Sequence, residues 1–253
     1  MAASSSPQLS RWKCTVAYDG TQFSGWQSQP DANAVQDFIE RRLAEVLKVK
    51  TGIQGSGRTD SGVHARAQVF HFDADWPHSP AKLLAALRVG LPPTLQVTTA
   101  KRVPASFHSR FSAKGKIYHY EIHHRGFADP FSHPFCWSMM RTLDIEAMRA
   151  AAARLVGKRD FRAYSAASGE ERESTVRTLE ALDVQVRGRR VRIVARGDGF
   201  LYKMVRSLVG ALVDVGAGRL SPDDITAILA TKQRTHRVVT APPEGLFLVK
   251  VFY

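Results

Sequence analysis

The chain has 253 residues and carries 36 Lys and Arg against 23 Asp and Glu, a formal net charge of +13 with a pI near 10.1. Hydrophobic residues make up 44% and charged ones 23%, which is globular rather than disordered composition, with material for one large core or two smaller ones. No apolar run approaches the ~20 residues that span a bilayer, which argues against an integral membrane protein. The first ten residues, MAASSSPQLS, lack the apolar stretch of a secretory signal and read as a disordered tail. Two cysteines, Cys14 and Cys136, make neither a disulfide framework nor a zinc site, so a reduced, cytoplasmic compartment is the expectation. The positive excess implies an acidic partner, nucleic acid foremost, although many proteins are basic without a specific partner. Residues 1–108 hold 12 basic and 8 acidic side chains, and residues 109–253 hold 24 and 15. That distribution fits a folded basic surface rather than a basic arm.

In chain order, Arg11–Tyr18 reads as a strand and Tyr18–Pro30 as a Gly-rich loop. Over Ala34–Leu47, Val35, Phe38, Ile39, Leu43, Val46 and Leu47 recur at helical spacing. Thr51–Gly62 is Gly-rich and irregular, and Arg66–Phe72 is a strand. Ser79 caps a helix over Pro80–Leu91, and Leu95–Val103 is another strand. The second half begins with a strand at Lys116–His124 and a helix over Asp144–Val156 opened by Asp144. Leu182–Val186 and Val191–Ala195 form a hairpin around Arg187-Gly188-Arg189. Helices over Leu201–Val215 and Pro222–Ala230 and a strand at Leu246–Phe252 complete it. The expected class is α+β, with two ferredoxin-like (split βαβ) halves over 11–108 and 109–253.

The most unusual stretch is Gly55-Ser-Gly-Arg-Thr-Asp-Ser-Gly-Val-His-Ala65. Its glycine spacing is neither a dinucleotide fingerprint nor a P-loop, and Asp60 would repel phosphate. Asp60-Ser61-Gly62 matches an aspartic-protease triplet, but no second one exists, and Arg58 favours an ionised carboxylate over a shared proton. A purely structural turn capped by Asp60 remains open. So does an ionised Asp acting as nucleophile or base on a loop beside a basic groove.

The run GRTDSGVHA resembles the catalytic signature of the TruA family of tRNA pseudouridine synthases. Four further stretches resemble family segments in the same order: YDGTQFSGWQSQP, FHSRFSAKGKIYHYEI, GDGFLYKMVRSLVG and APPEGLFLVKVFY. Together they reach from Tyr18 to Tyr253. Ser61 stands where the family more often has Ala. The resemblance implies a pseudouridine synthase fold with a central basic cleft. It implies an isomerase that detaches uracil at N1 and rejoins it through C5, with no cofactor, metal or energy source. Asp60 is then the essential carboxylate, and Tyr118 stacks on the target base. Arg206 pairs with Asp60, and Arg58 contacts phosphate or Asp60. The implied substrate is uridine at about positions 38 to 40 of the tRNA anticodon stem-loop, recognised by shape. The implied assembly is a homodimer.

The residues alone leave plainer readings beside these. Tyr118 and Tyr120 read equally as strand aromatics sharing one face, and Arg58 and Arg206 as solvated cations. His64 could serve in acid–base chemistry, but by resemblance is structural. Histidines 108, 119, 123, 124 and 133 show no metal-ligand spacing. Arg190, Arg192 and Arg196 share one hairpin face, while Arg102, Arg110, Lys114 and Lys116 gather near the expected boundary. With Lys203 they are candidate RNA contacts. Phe23, Trp26 and Gln27 could stack on bases or fill core.

Overall fold

The computed structural model describes residues 9–167 and 174–253. Of the tail expected over residues 1–10, the first eight lie outside the described residues, and Ser10 already begins a strand. The chain divides into two compact units, Met1–Ala113 with Lys250–Tyr253, and Lys114–Val249.

The first unit contains β1 (Ser10–Tyr18), α1 (Val35–Leu47), β2 (Gln54–Gly55), β3 (His64–Ala74), α2 (Pro80–Arg88) and β4 (Leu95–Val103). Its strands run in the order β4-β1-β3, with β2 on the far side of β3, and these pairings are antiparallel. That is the β-α-β-β-α-β arrangement of a ferredoxin-like half. Along β1, Trp12, Cys14, Val16 and Tyr18 are buried and alternate with half-exposed residues, the period-2 mark of a sheet covered on one face. In α1 the buried residues are Val35, Ile39 and Leu43, one per turn on the covered face. Ser79 caps α2, its Oγ accepting the Lys82 amide at 3.3 Å. The helix ends three residues before the expected Leu91, because Gly90 adopts φ +81 and Pro92 and Pro93 follow.

The second unit contains β5 (Gly115–His123), β6 (Trp137–Ser138), α3 (Ile145–Leu155), β7 (Gly157–Asp160), β8 (Val176–Arg187), β9 (Arg190–Gly197), α4 (Met204–Gly216), α5 (Pro222–Thr231) and the start of β10 (Leu246–Phe252), whose residues from Lys250 on belong to the first unit. Strand order is β10-β5-β9-β8-β7, with β6 beside β5. Taken as β5-α3-β8-β9-α4-β10, this is the same split βαβ scheme, with β6, β7 and α5 added. Asp144 caps α3 through the Ala147 amide at 3.0 Å, as its sequence position predicts. The β8–β9 hairpin is longer than the apolar alternation indicates and turns tightly at Gly188-Arg189, with Gly188 at φ +60.

One helix differs from expectation in both start and environment. It begins at Met204, not Leu201, because Lys203 adopts a left-handed φ of 56° and serves as N-cap. Lys203 is therefore not on a helix face. Met204, Val205 and every residue from Ser207 to Gly216 are buried, leaving only Arg206 half-buried. Glycines let the backbone in where side chains could not fit. A Cβ on Gly210 would overlap the Val239 carbonyl oxygen. A helix covered all round forms the centre of this unit's core. Short β2, β6 and β7 span two to four residues each and show no readable period.

Candidate active site

Asp60 is half-buried in the loop between β2 and β3. The loop is clamped at many points. Ser56 donates its amide to the Val69 carbonyl at 2.7 Å and its hydroxyl to Gln68 Oε1 at 2.5 Å. Gln68, fully buried on β3, donates through Nε2 to the Gly57 carbonyl at 2.8 Å. Thr59 Oγ1 lies 2.8 Å from the Tyr18 hydroxyl, and burial raises the Tyr18 pKa. The Asp60 carbonyl accepts the Val63 amide at 3.1 Å, closing a turn with Gly62 at φ +77. Arg58 is exposed on the same loop.

The loop after β1 forms the seat beneath this turn. The Trp26 amide donates to the Thr59 carbonyl at 3.1 Å, and Ser61 Oγ donates to the Phe23 carbonyl at 3.2 Å. Gly25 sits at φ +91, and a Cβ there would lie 2.6 Å from Thr59 O and 3.1 Å from Asp60 C. A Cβ on Gly20 would overlap the Val63 carbonyl, and one on Gly55 would overlap the Trp26 indole. Gly20 and Gly25 thus let the backbone of the first loop meet the backbone of Thr59–Val63, and Gly55 makes room for the Trp26 ring. Phe23 and Trp26 are buried, packed on Phe38 at 5.4 Å and Phe70 at 6.3 Å, so they are core rather than base-stacking platforms. Gln27 is exposed. His64 is buried and accepts the Gly20 amide at Nδ1 (3.0 Å), with Asp19 Oδ1 3.2 Å away. Through Nδ1 the buried His64 ring holds the Asp19-Gly20 turn.

Arg110 is positioned by Ser109, a hub that spacing does not reveal. Ser109 Oγ donates to the Gln54 carbonyl at 2.6 Å and lies 2.9 Å from His71 Nδ1. Its carbonyl accepts the Tyr253 hydroxyl at 2.7 Å. Burial, then the charges of His108 and Arg11, pushes His71 down to about 4, so it is neutral in this network. The Tyr253 ring lies under Lys13 Nζ at 3.8 Å and against Phe107 at 4.9 Å. Gln54 leads directly into the Asp60 loop, so Arg110 and Asp60 share one anchored end of the first unit. Arg110 is exposed, its guanidinium 5.6 Å from the Phe111 ring.

In the second unit, Tyr118 is buried on β5 opposite Ala195, with Phe200 edge-on at 5.2 Å. Tyr120, two residues on, is fully buried and donates its hydroxyl to the Pro242 carbonyl at 2.8 Å. Arg206 on α4 donates Nε to the Ala241 carbonyl at 2.8 Å, and the Ala241 amide returns a bond to the Arg206 carbonyl at 3.0 Å. Arg234 ties the same segment, reaching Ser207 Oγ at 2.8 Å, Thr240 Oγ1 at 2.7 Å and the Val238 carbonyl at 2.9 Å. The segment 238–241 is thus a splint that sets the Arg206 side chain.

The remaining cations divide. Arg190, Arg192 and Arg196 are exposed opposite buried Val191, Ile193 and Ala195, as the alternation predicts. Two of them are paired, Arg192 with Glu121 at 2.6 Å and Arg196 with Glu180 at 2.5 Å. Arg190 donates to Ser132 Oγ at 3.1 Å. Lys114 is exposed, while Lys116 and Lys203 are half-buried, the latter with Nζ 5.0 Å from the Tyr202 ring centre. Arg102 spends its charge locally, over Trp12 at 5.1 Å and on the Trp76 carbonyl at 2.9 Å. Among the described residues no group of three or more His, Cys, Asp or Glu is arranged to hold a metal ion.

Comparison with known proteins agrees with the motif order. A family model described as tRNA pseudouridine synthase matches residues 15–112 and 151–253. The chain is 41% identical over 245 residues to tRNA pseudouridine synthase A 1 of Protochlamydia amoebophila, covering 96% of each. It is 42% identical over 248 residues to tRNA pseudouridine synthase A of Listeria monocytogenes, covering 97% of this chain and all of that protein. Against the tRNA pseudouridine synthase A of a Thermoanaerobacter species it is 41% identical over 238 residues, covering 94% and 97%. The glycine-seated Asp60 loop, the paired split βαβ units and identity across nearly the full chain converge, and the protein belongs to the tRNA pseudouridine synthase family.

Proposed function

We propose that this chain isomerises uridine to pseudouridine in tRNA, with Asp60 as the essential carboxylate. The observation that carries this reading is the GRTDSGVHA run, held as a backbone-clamped loop in a chain whose matches to the family span both units. The reaction breaks the bond from ribose C1′ to uracil N1, turns the base, and joins C1′ to C5. The C5 proton leaves and N1 takes one up, so nothing is oxidised or reduced. An ionised Asp60 meets the nucleotide as a nucleophile or base. The reacting atoms are hidden in a stacked helix, so the uridine must be flipped out.

Within the same proposal, Tyr118 stacks on the flipped base and Arg206 pairs with Asp60. Arg58 holds a flanking phosphate or Asp60 itself. Arg110, Lys114, Lys116, Arg190, Arg192 and Lys203 contact the RNA, with Arg192 partly offset by Glu121. The target is uridine at about positions 38 to 40 of the anticodon stem-loop, recognised by shape. The working form is a cytoplasmic homodimer, and the isomerisation itself calls for no cofactor. Among the described residues no helix is long and apolar enough to cross a membrane.

The direct test is incubation with tRNA lacking pseudouridine, followed by mass spectrometric mapping. Pseudouridine in the anticodon arm supports the reading, and none at any position overturns it. Replacing Arg206 with Ala is expected to lower kcat by ~10²-fold, the usual scale for removing one charged group that orders a catalytic residue. The tRNA Kd should stay within about threefold, and unchanged turnover removes Arg206 from the site. Log affinity for tRNA should fall with log salt by about 0.7–0.9 for each phosphate contacted, read by filter binding from low to physiological salt. A flat salt dependence refutes a basic RNA-binding surface.

A further inference from the structure

At the end of the second unit where β8 turns into β9, the reading above uses Arg190 alone. Arg187 and Arg190 face each other directly in the hairpin register, with Arg189 in the turn between them. The segment following β5 lies across this turn. The His124 amide donates to the Arg189 carbonyl at 3.0 Å, and Arg190 reaches Ser132 Oγ at 3.1 Å. A Cβ on Gly126 would lie 3.4 Å from Arg189 Nη1. The Arg125 amide donates to the Arg141 carbonyl at 3.3 Å, bringing two more arginines to the same place. Arg125, Arg141, Arg187, Arg189 and Arg190 are all exposed. Among the described residues, Arg125, Arg141, Arg187 and Arg189 form no ion pair. The only acid between residues 124 and 141 is Asp129, which is engaged by the amides of Phe131 at 3.0 Å and Ser132 at 3.2 Å. Between the arginines stand Phe131, 88% exposed, Phe127, 72% exposed, and Met140, 64% exposed.

This arrangement is unfavourable for the protein alone. Like charges directly opposite on paired strands repel, and large apolar side chains in water gain nothing. A polyanion with stackable faces relieves both. We infer that the Arg125/Arg141/Arg187/Arg189/Arg190 cluster with Phe127 and Phe131 is a second tRNA-docking surface, holding a strand remote from the nucleotide being modified. The inference rests on the reading that tRNA is the substrate. Arg190 pairs with His123, five residues along β5 from Tyr118, or about 16 Å at 3.3 Å per residue. That is too far for the same nucleotide. A second copy of this chain is a poorer occupant. A two-fold contact through the patch would press Arg187, Arg189 and Arg190 toward their own copies with one engaged carboxylate to offset them. Arginine beside exposed aromatic rings is instead the composition of surfaces that grip phosphates and stack bases.

The test uses the full chain with Arg141, Arg187 and Arg189 replaced together by Ala, and separately Phe131→Ala. These side chains are exposed, so the fold should survive, checked by circular dichroism and thermal melting. Expected for the triple variant is a tRNA Kd raised ~10- to 100-fold, with the salt slope reduced by about 2 to 3. The KM should rise with Kd while kcat at saturating tRNA is unchanged. Phe131→Ala should raise Kd by about fivefold or more without changing the salt slope. Unchanged Kd and slope in both variants overturn the inference. Loss of dimer in sedimentation with an unchanged salt slope also overturns it, assigning the patch to contact between copies. Binding is measured directly, so a wild type that binds tRNA and makes no pseudouridine would defeat the functional reading without deciding this one.

Discussion

Asp60→Ala is expected to reduce pseudouridine formation by at least ~10³-fold while leaving tRNA affinity within about threefold. The large effect follows from the absence of a substitute. Every version of the chemistry needs one ionised carboxylate at the flipped nucleotide, and the loop holds no second acid between Gln54 and Gln68. The small binding effect follows because affinity comes from phosphate contacts spread over cationic surface. The turn survives the substitution, since Asp60 closes it through its backbone carbonyl, which accepts from Val63 at 3.1 Å. The measurement is release of tritium from C5 of labelled uridine in tRNA, because C5–H is the bond the product lacks. Asp60→Asn keeps the shape and removes the charge, and it should be as inactive as Asp60→Ala. If either variant releases tritium at the wild-type rate, Asp60 is not the catalyst.

Gly25→Ala is expected to cut kcat by ~10²-fold although Gly25 touches no substrate, because misplacing a catalytic group by about 1 Å has that effect. Two independent costs fall on this one methyl. At φ +91 an L-residue is strained, by about 1–3 kcal/mol. The new Cβ would also lie 2.6 Å from Thr59 O and 3.1 Å from both Asp60 C and Ser61 N. Those neighbours are backbone, so relief requires the Asp60 turn itself to shift. Gly218→Ala separates the two costs, since Gly218 has φ +72 but nothing within 4 Å of its Cβ position. It should lower the melting temperature by a few degrees, roughly 2–4 °C per kcal/mol in a chain of this size, and leave kcat alone. If Gly25→Ala behaves like Gly218→Ala, the seat beneath Asp60 has no catalytic consequence.

Much of the fold is legible along the chain. The strands at Leu95–Val103 and Leu246–Phe252 occupy the residues their patterns indicate, and Ser79 and Asp144 cap the helices they precede. These features depend on residues within one or two turns of each other, where alternation, helical spacing and capping act. The helix expected over Leu201–Val215 forms over Met204–Gly216, but its burial on every side is set by segments far away in the chain rather than by its own letters. Its start is hidden for another reason, since Lys203 takes a left-handed conformation that its residue type does not announce.

The site divides in the same way. Asp60 and Arg58 stand out in a run too specific to be a common turn, and the alternation of β9 placed its arginines on one face. The sequence by itself therefore determined the family, the order of the helices and of the seven longer strands, and the candidate carboxylate. Only the tertiary structure decided what holds that carboxylate. Gly20 and Gly25 lie under residues roughly 35 to 43 positions later in the chain, and the Tyr253 hydroxyl meets the Ser109 carbonyl across 144 positions. It also decided that Phe23 and Trp26 are core, that Arg192 and Arg196 are paired, and that Arg125 and Arg141 join the hairpin arginines. The physical reason is range. A local pattern records which face of an element is apolar, whereas a close backbone approach or an uncompensated charge exists only once distant segments are packed together.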